Sequence, residues 1–203
     1  MARTTRVKAK VERAAIELFA AGGVDGVSIG GIASRAGVSQ GALYRHYPSK
    51  EDLAWALFST AYLRTGAELD EIAGRQHDFP ARVAAMAEHF CALYDRDPDL
   101  FRFMLIAQHN LLPRIGPHQR TPVDAVADTV REAIRAGEIA RVDPLLATAL
   151  ILGVILQTAV FHIYGRLEGA LSPRAPSLTR AAIAAVEALA EPAPPPPARD
   201  PAP

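Results

Sequence analysis

Ser28-Ile29-Gly30-Gly31-Ile32-Ala33-Ser34-Arg35-Ala36-Gly37-Val38-Ser39-Gln40-Gly41-Ala42-Leu43-Tyr44-Arg45-His46-Tyr47-Pro48-Ser49-Lys50-Glu51-Asp52-Leu53 is the stretch that decides the architecture. Ser28 stands where an N-cap belongs, so a short helix should run from there to about Arg35. Its propensity is poor, because Gly30 and Gly31 each cost about 1 kcal/mol against alanine in a helix interior. So short a helix cannot hold its shape alone, and packing must supply the difference. Ala36-Gly37-Val38 is a tight turn. Ser39 caps a further helix over about 40–47, Pro48 stops it, and Ser49 caps the next one at Lys50. Ile32 and Ala33 face inward from the first helix of the pair, and Val38 and Leu43 point back into the same small core.

Upstream, Val7, Val11, Ala14, Ala15, Leu18 and Phe19 fall on one stripe of a 3.6-residue period, so a helix covers about 5–21, ended by Gly22 and Gly23. It forms the third wall of that core. Three short helices joined by a glycine turn fit the arrangement that inserts a second helix into a DNA major groove, although a generic helical hairpin shares the spacing. Charge favours the first reading. The formal net charge is zero, but residues 1–50 carry 8 basic and 3 acidic side chains, against 14 and 19 in the remainder. A basic head on an acidic body suits a polyanion partner.

Downstream, helices are expected over about 50–73, 80–94, 99–110, 123–136, 144–166 and 177–190, with a polar linker at 95–99. Residues 191–203 hold 7 prolines, so a disordered tail is expected there. The expected fold is all-α with about nine helices: a three-helix head with a helix-turn-helix over 1–53, then a helical bundle over 54–190. Residues 145–163 are the most apolar stretch, but Gln157, Thr158 and His162 interrupt it, so a largely buried helix is expected rather than a membrane span. With no targeting segment in view, a cytoplasmic protein without a membrane partner is the plain reading.

Enzyme classes find little support. One cysteine, Cys91, excludes an intramolecular disulfide framework and a Cys-based zinc cluster, and no His pair has metalloprotease spacing. Asp95-x-Asp97-x-Asp99 has the opening of a calcium loop, but Leu100 and Ile106 occupy the positions that need Gly and Glu. No catalytic residue, metal or cofactor is expected.

Residues 28–53 resemble the DNA-binding head of the tetracycline-repressor-like (TetR/AcrR) family of bacterial transcription regulators. The resemblance rests on Ile-Ala at 32–33, Ala-Gly-Val-Ser at 36–39, Leu-Tyr-x-His-Tyr at 43–47 and Lys-x-x-Leu at 50–53. It implies a homodimer with paired heads on a ligand-binding, dimerising bundle. Tyr44, His46 and Lys50 match positions that touch the DNA backbone, and Ser28, at a helix N-terminus, suits a phosphate. Such contacts set register without reading sequence. Base reading falls to the exposed start of the helix capped by Ser39. Gln40 suits a bidentate pair with adenine and Arg45 suits guanine or a phosphate; Gly41 permits close approach, and Ala42 offers a methyl to thymine. Arg3, Arg6, Lys8 and Lys10 are candidates for flanking contacts.

In the bundle, Met86, His89, Phe90, Phe101, Met104, His109 and Phe161 are candidate ligand contacts, and Tyr62, Leu93, Leu105 and His162 share their large or polarisable character, although an ordinary core needs the same residue types. The helices over 144–166 and 177–190 carry small residues such as Gly153, Ala159, Ala181, Ala184 and Ala185, which suit a four-helix interface between two copies. The expected function is a ligand-responsive repressor of a near-palindromic operator, released by a small, mostly apolar effector. The alternative is a DNA-binding or architectural protein without small-molecule control.

Overall fold

In the computed structural model, residues 2–190 are described, with side chains from Thr5 onward; the proline-rich tail and the Arg3 side chain lie outside the described residues. α1 (Ala2–Gly22) buries Val11, Ala14, Ala15 and Phe19. Ser28 caps α2 (Ile29–Ala36), its Oγ accepting from Gly31 N at 3.0 Å. Gly37 ends α2 at φ 65°, the left-handed conformation the turn requires. α3 (Gln40–Tyr44) is shorter than the sequence suggests. The 45–47 segment closes as a turn, with the backbone N–H groups of His46 and Tyr47 both donating to Leu43 O.

α4 (Lys50–Gly74) runs from head to body, capped by Ser49. α5 (Phe79–Arg96), α6 (Pro98–Leu111), α7 (Pro122–Ala136), α8 (Pro144–Ile163) and α9 (Ala175–Glu187) complete an all-α architecture without a strand among the described residues. Each of these five has a proline in its first turn, where the missing N–H costs nothing. Asp78, Asp97, Thr121 and Asp143 cap α5 to α8 through side-chain oxygens. Two 3-10 turns, Leu112–Arg114 and Ser172–Arg174, follow α6 and precede α9.

The apolar residues form two cores. The body core is built on residues such as Val83, Met86, Leu93, Val130, Ile151 and Val186. The head core gathers Val11, Phe19, Ile32, Leu43 and Leu53, but it does not stop at residue 53. It takes in Leu57, Phe58 and Tyr62 from α4, and Phe103 and Ala107 from α6. Phe103 is fully buried and stacks on Phe19 at 5.6 Å between ring centroids. The opposite side of α6, through Phe101 and Met104, belongs to the body core. One helix is thus packed into both.

Polar contacts tie the same elements. Arg13 on α1 donates to Asp97 and Asp99 at the start of α6, each at 2.7 Å, and to Glu17 at 3.0 Å. Glu17 in turn accepts from Arg35 on α2. Asp95 accepts from Leu171 N, Ser172 N and Ser172 Oγ, fixing the turn before α9 to the end of α5. The Asp-x-Asp-x-Asp run is therefore consumed by helix caps and inter-element bonds. Between α4 and α7, Arg120 forks onto Asp70 with two 2.6 Å bonds and also reaches Asp128. Gly66 permits the approach: a Cβ there would sit 2.7 Å from Thr121 C and 2.8 Å from Arg120 O.

The expectation of a largely buried helix over 144–166 needs correction. α8 ends at Ile163, because Gly165 turns the chain at φ 67°. Only one side of it is covered. Ala147, Ile151, Ile155 and Ala159 are buried, while Leu145, Leu146 and Phe161 are exposed. By length and mean hydropathy (2.1), α8 is the one described helix that could cross a membrane, with 28 % of its most apolar window buried inside the chain. Alanine, leucine and isoleucine recur all round this helix, so its sequence does not distinguish the side packed within the chain from the side left open.

Candidate nucleic-acid interface

The interface is built by the turn around Gly37. Leu43, fully buried, pins the inner side of α3 to the head core, so the outer side projects Gln40, Gly41, Tyr44 and Arg45 to solvent. Ser39 Oγ accepts from Ala42 N at 3.2 Å, holding the start of α3 open. Tyr44 is 50 % exposed, its ring open to solvent. Tyr47 is the opposite case. It is buried, and its hydroxyl donates to Glu12 at 2.6 Å; burial first, then that carboxylate, push the phenol well above its ordinary range.

Gly30 leaves room beside α3. A Cβ there would lie 3.2 Å from Gln40 Nε2, so the Gln40 side chain rests over the bare backbone of α2. Lys50 is mostly tucked in, its Nζ 3.4 Å from Asp25 O and 3.8 Å from Glu51. Arg45 and His46 form no ion pair or hydrogen bond through their side chains among the described residues. Ser28, Ser39, Gln40, Gly41, Tyr44, Arg45, His46 and Lys50 thus lie on or beside the helix pair, with Ala42 half-buried. Arg6 and Lys10 are exposed on α1, and Lys8 pairs with Glu12 at 3.8 Å.

A second feature lies in the body. A small cavity of about 70 Å3, partly open to solvent, lies between α4, α5, α6, α7 and α8, well below the roughly 300–1,000 Å3 usual for small-molecule sites. It brings together three of the seven candidate ligand contacts: Phe90, Phe101 and Met104. The others lie elsewhere. Met86 is in the closed body core, and His109 is exposed. Phe161 lies on the open side of α8, beside Gln157 and Thr158. His89 faces Glu68, 3.2 Å away, though not aligned for a hydrogen bond. Burial holds the His89 imidazole below its ordinary pKa despite that carboxylate.

Sequence reasoning missed Thr65 and Gln108, which with Tyr62 are the polar side chains of the cavity wall. The only signal was the three-residue step from Tyr62 to Thr65, which places both on one side of α4. Tyr62 also stacks on Phe58 at 5.1 Å, within the head core. His162, near the end of α8, bonds Tyr94 Oη and Gly169 O through its two ring nitrogens; the carbonyl can only accept, so Nε2 carries the proton in that contact.

Comparison with known proteins accords with this geometry. The sequence pattern of "Bacterial regulatory proteins, tetR family" matches residues 13–57, from the middle of α1 to the first turns of α4. The transcriptional regulator MftR of Mycobacterium tuberculosis is 44 % identical over 61 residues, 30 % of this chain and 31 % of MftR, so the match spans about a third of that relative. The helix-turn-helix-type regulator TtgW of Pseudomonas putida is 31 % identical over 113 residues, 53 % of this chain and 82 % of TtgW. Among solved structures, FadR from Bacillus subtilis in complex with stearoyl-CoA superposes with a TM-score of 0.71 at 21 % identity. The superposition covers 87 % of this chain and 97 % of that one, and the fold is shared. The chain belongs to the tetR family of bacterial regulatory proteins.

Proposed function

We propose that this chain is a ligand-responsive repressor that occupies a near-palindromic operator as a homodimer and releases it when a small, mostly apolar effector enters the body cavity. Membership of the family supplies the coarser part, a homodimeric DNA-binding regulator of transcription rather than an enzyme. The observation that carries the rest is the sharing of elements. Tyr62 and Phe101 belong to the cavity wall, while Tyr62 and Phe103, on the same two helices, belong to the head core. A ligand that shifts α4 or α6 therefore moves the packing beneath α3. It can do so only to the extent that it binds the two arrangements with different affinity.

In this reading residues 1–53 carry the DNA contacts and 54–190 the effector and dimer contacts. Two α3 helices enter successive major grooves roughly 34–36 Å apart. Gln40 and Arg45 read bases, with Gly41 and Ala42 allowing close approach. Ser28, Ser39, Tyr44, His46 and Lys50 meet phosphates. The second copy covers the open side of α8, where Leu145, Leu146 and Phe161 are exposed, together with α9. Stearoyl-CoA, the ligand in the FadR structure, is not carried over: it bears phosphates, and no Lys, Arg or His lines this cavity.

Genome-wide mapping of bound sites, followed by affinity measurements on mutated operators at fixed salt, tests the assignment. Tyr44→Phe and Lys50→Ala should weaken binding to all duplexes by similar factors, whereas Gln40→Ala should change base preference. A uniform loss for Gln40→Ala removes it from base reading. A purified dimer that prefers no genomic site over random duplex refutes the proposal.

A further inference from the structure

Resting on the base-reading role proposed above for Gln40, we infer that Gly30 is a positioning residue for that side chain. The bare backbone of α2 is the floor on which the Gln40 carboxamide lies, and the size of residue 30 tunes base preference through Gln40 rather than by touching DNA.

α2 and α3 are held in one relative position by groups that leave residue 30 out. Ile32, Ala33 and Leu43 are buried together in the head core. Gly37 turns the chain at φ 65°, with Gly37 N donating to Ser34 O at 3.1 Å and Val38 N to Ala33 O at 3.0 Å. Ser39 then sets Gln40 at the first position of α3. From there the side chain reaches back over the first turn of α2. A Cβ on Gly30 would stand 3.2 Å from Gln40 Nε2 and 4.0 Å from Gln40 Cδ, with Ser28 Oγ the remaining near atom at 3.9 Å. The Gln40 amide has no hydrogen-bond partner among the described residues, so contact with this floor sets its place, and its donor and acceptor stay free for a base.

Filling the floor moves the amide. At 3.2 Å an added Cβ is closer than ordinary van der Waals contact, so alanine at 30 displaces the end of Gln40 by a few tenths of an ångström. Leucine, with three further carbons, competes for the space itself. A bidentate pair with adenine needs the length and angle of two hydrogen bonds at once, and a displaced amide keeps one at best. The fold is spared, because the atom that must yield is the far end of a flexible side chain. Gly30 lies within α2 and is not among the glycines of positive φ, so alanine and leucine are the better helix formers there. Gly31 provides the contrast: a Cβ on it would meet Ser28 Oγ at 3.3 Å and no atom of α3 within 4 Å.

The test uses the full chain, an operator found by mapping bound sites, the same operator with each base pair replaced in turn, and a random duplex, all at one salt concentration. A bidentate pair discriminates on the order of 5–150-fold. At the base pair whose preference Gln40→Ala removes, Gly30→Ala should therefore cut discrimination about threefold and Gly30→Leu about tenfold. Random-duplex affinity and melting temperature should not fall, and Gly31→Ala should read bases as the native chain does. In a Gln40→Ala background the Gly30 substitutions should change preference no further, which separates positioning from direct contact. Gly30→Ala, the smaller change, carries the test should the leucine variant fail to fold. Native base preference in the Gly30 variants, an equal loss on all duplexes from Gly30→Ala, or an effect that persists in the Gln40→Ala background overturns the inference. Native base preference in Gln40→Ala would overturn it together with the reading of Gln40. Altered preference in Gln40→Ala beside inert Gly30 variants would overturn this inference alone.

Discussion

Replacing Phe103 with alanine probes the joint between head and body. The ring is fully buried among residues of α1 and α4 although it belongs to α6, and it stacks on Phe19. Truncating such a phenylalanine costs about 3–5 kcal/mol, the lost transfer energy plus the cavity left behind. At roughly 2–4 °C per kcal/mol for a chain of this size, the melting temperature should fall by about 6–20 °C. Because association adds to apparent stability, native and variant chains must be compared at one protein concentration. Ile151→Ala is the control. It is a comparably buried truncation, about 2–5 kcal/mol, but lies in the body core away from the helix-turn-helix. Well below both melting transitions, Phe103→Ala should weaken operator binding severalfold, because the void lies under α1 and α4, whereas Ile151→Ala should leave it close to native. A loss of stability under 1 kcal/mol for Phe103→Ala, or equal operator binding by both variants, would refute the idea that α6 supports the head.

Three further outcomes follow from local geometry. Gly66→Ala should destabilise the chain by about 1–3 kcal/mol, despite better helix propensity, since the new Cβ meets backbone at Arg120 and Thr121; Gly74→Ala, with nothing within 4 Å, should not. Thermal denaturation of the pair decides this, and equal melting temperatures refute it. Cys91 is 1 % exposed and burial pushes its thiol up to about 11, so iodoacetamide should label it in the folded protein far more slowly than after denaturation. Equal labelling rates in the two states would contradict that burial. The His89 pKa is lower in the folded chain than unfolded, so the folded state resists its protonation. Stability tied to it is full above the unfolded value, about 6.5, and is lost as pH falls towards the depressed one. Denaturant midpoints should decline over that range and decline less in His89→Phe; identical pH slopes would exclude His89 as the cause.

The head was nearly all legible because its signals are local. Ser28, Ser39 and Ser49 name their own helix starts, and Gly37 can serve in one conformation few other residues tolerate. The cavity was legible only in part. Phe90, Phe101 and Met104 were found as large apolar residues at helical spacing, but the same criterion selected Met86, which is sealed in the core, and Phe161, which faces outward. Sorting them requires the rotation of each helix about its axis, set by packing partners far away in sequence. That Tyr62 joins head and cavity lay beyond reach for the same reason, since nothing local shows that α4 faces both at once. Nor does the Asp95–Asp99 run disclose its partners Arg13 and Ser172, some 80 residues away.

The double anchorage of α6 bears on how such proteins can be recombined. A chimera joining the first 53 residues to another bundle would leave behind the ring that fills the middle of the DNA-reading unit and the carboxylates that grip Arg13. Its designer would have to transplant Phe103, Ala107, Asp97 and Asp99 as well, so the smallest portable reader in this chain is discontinuous in sequence.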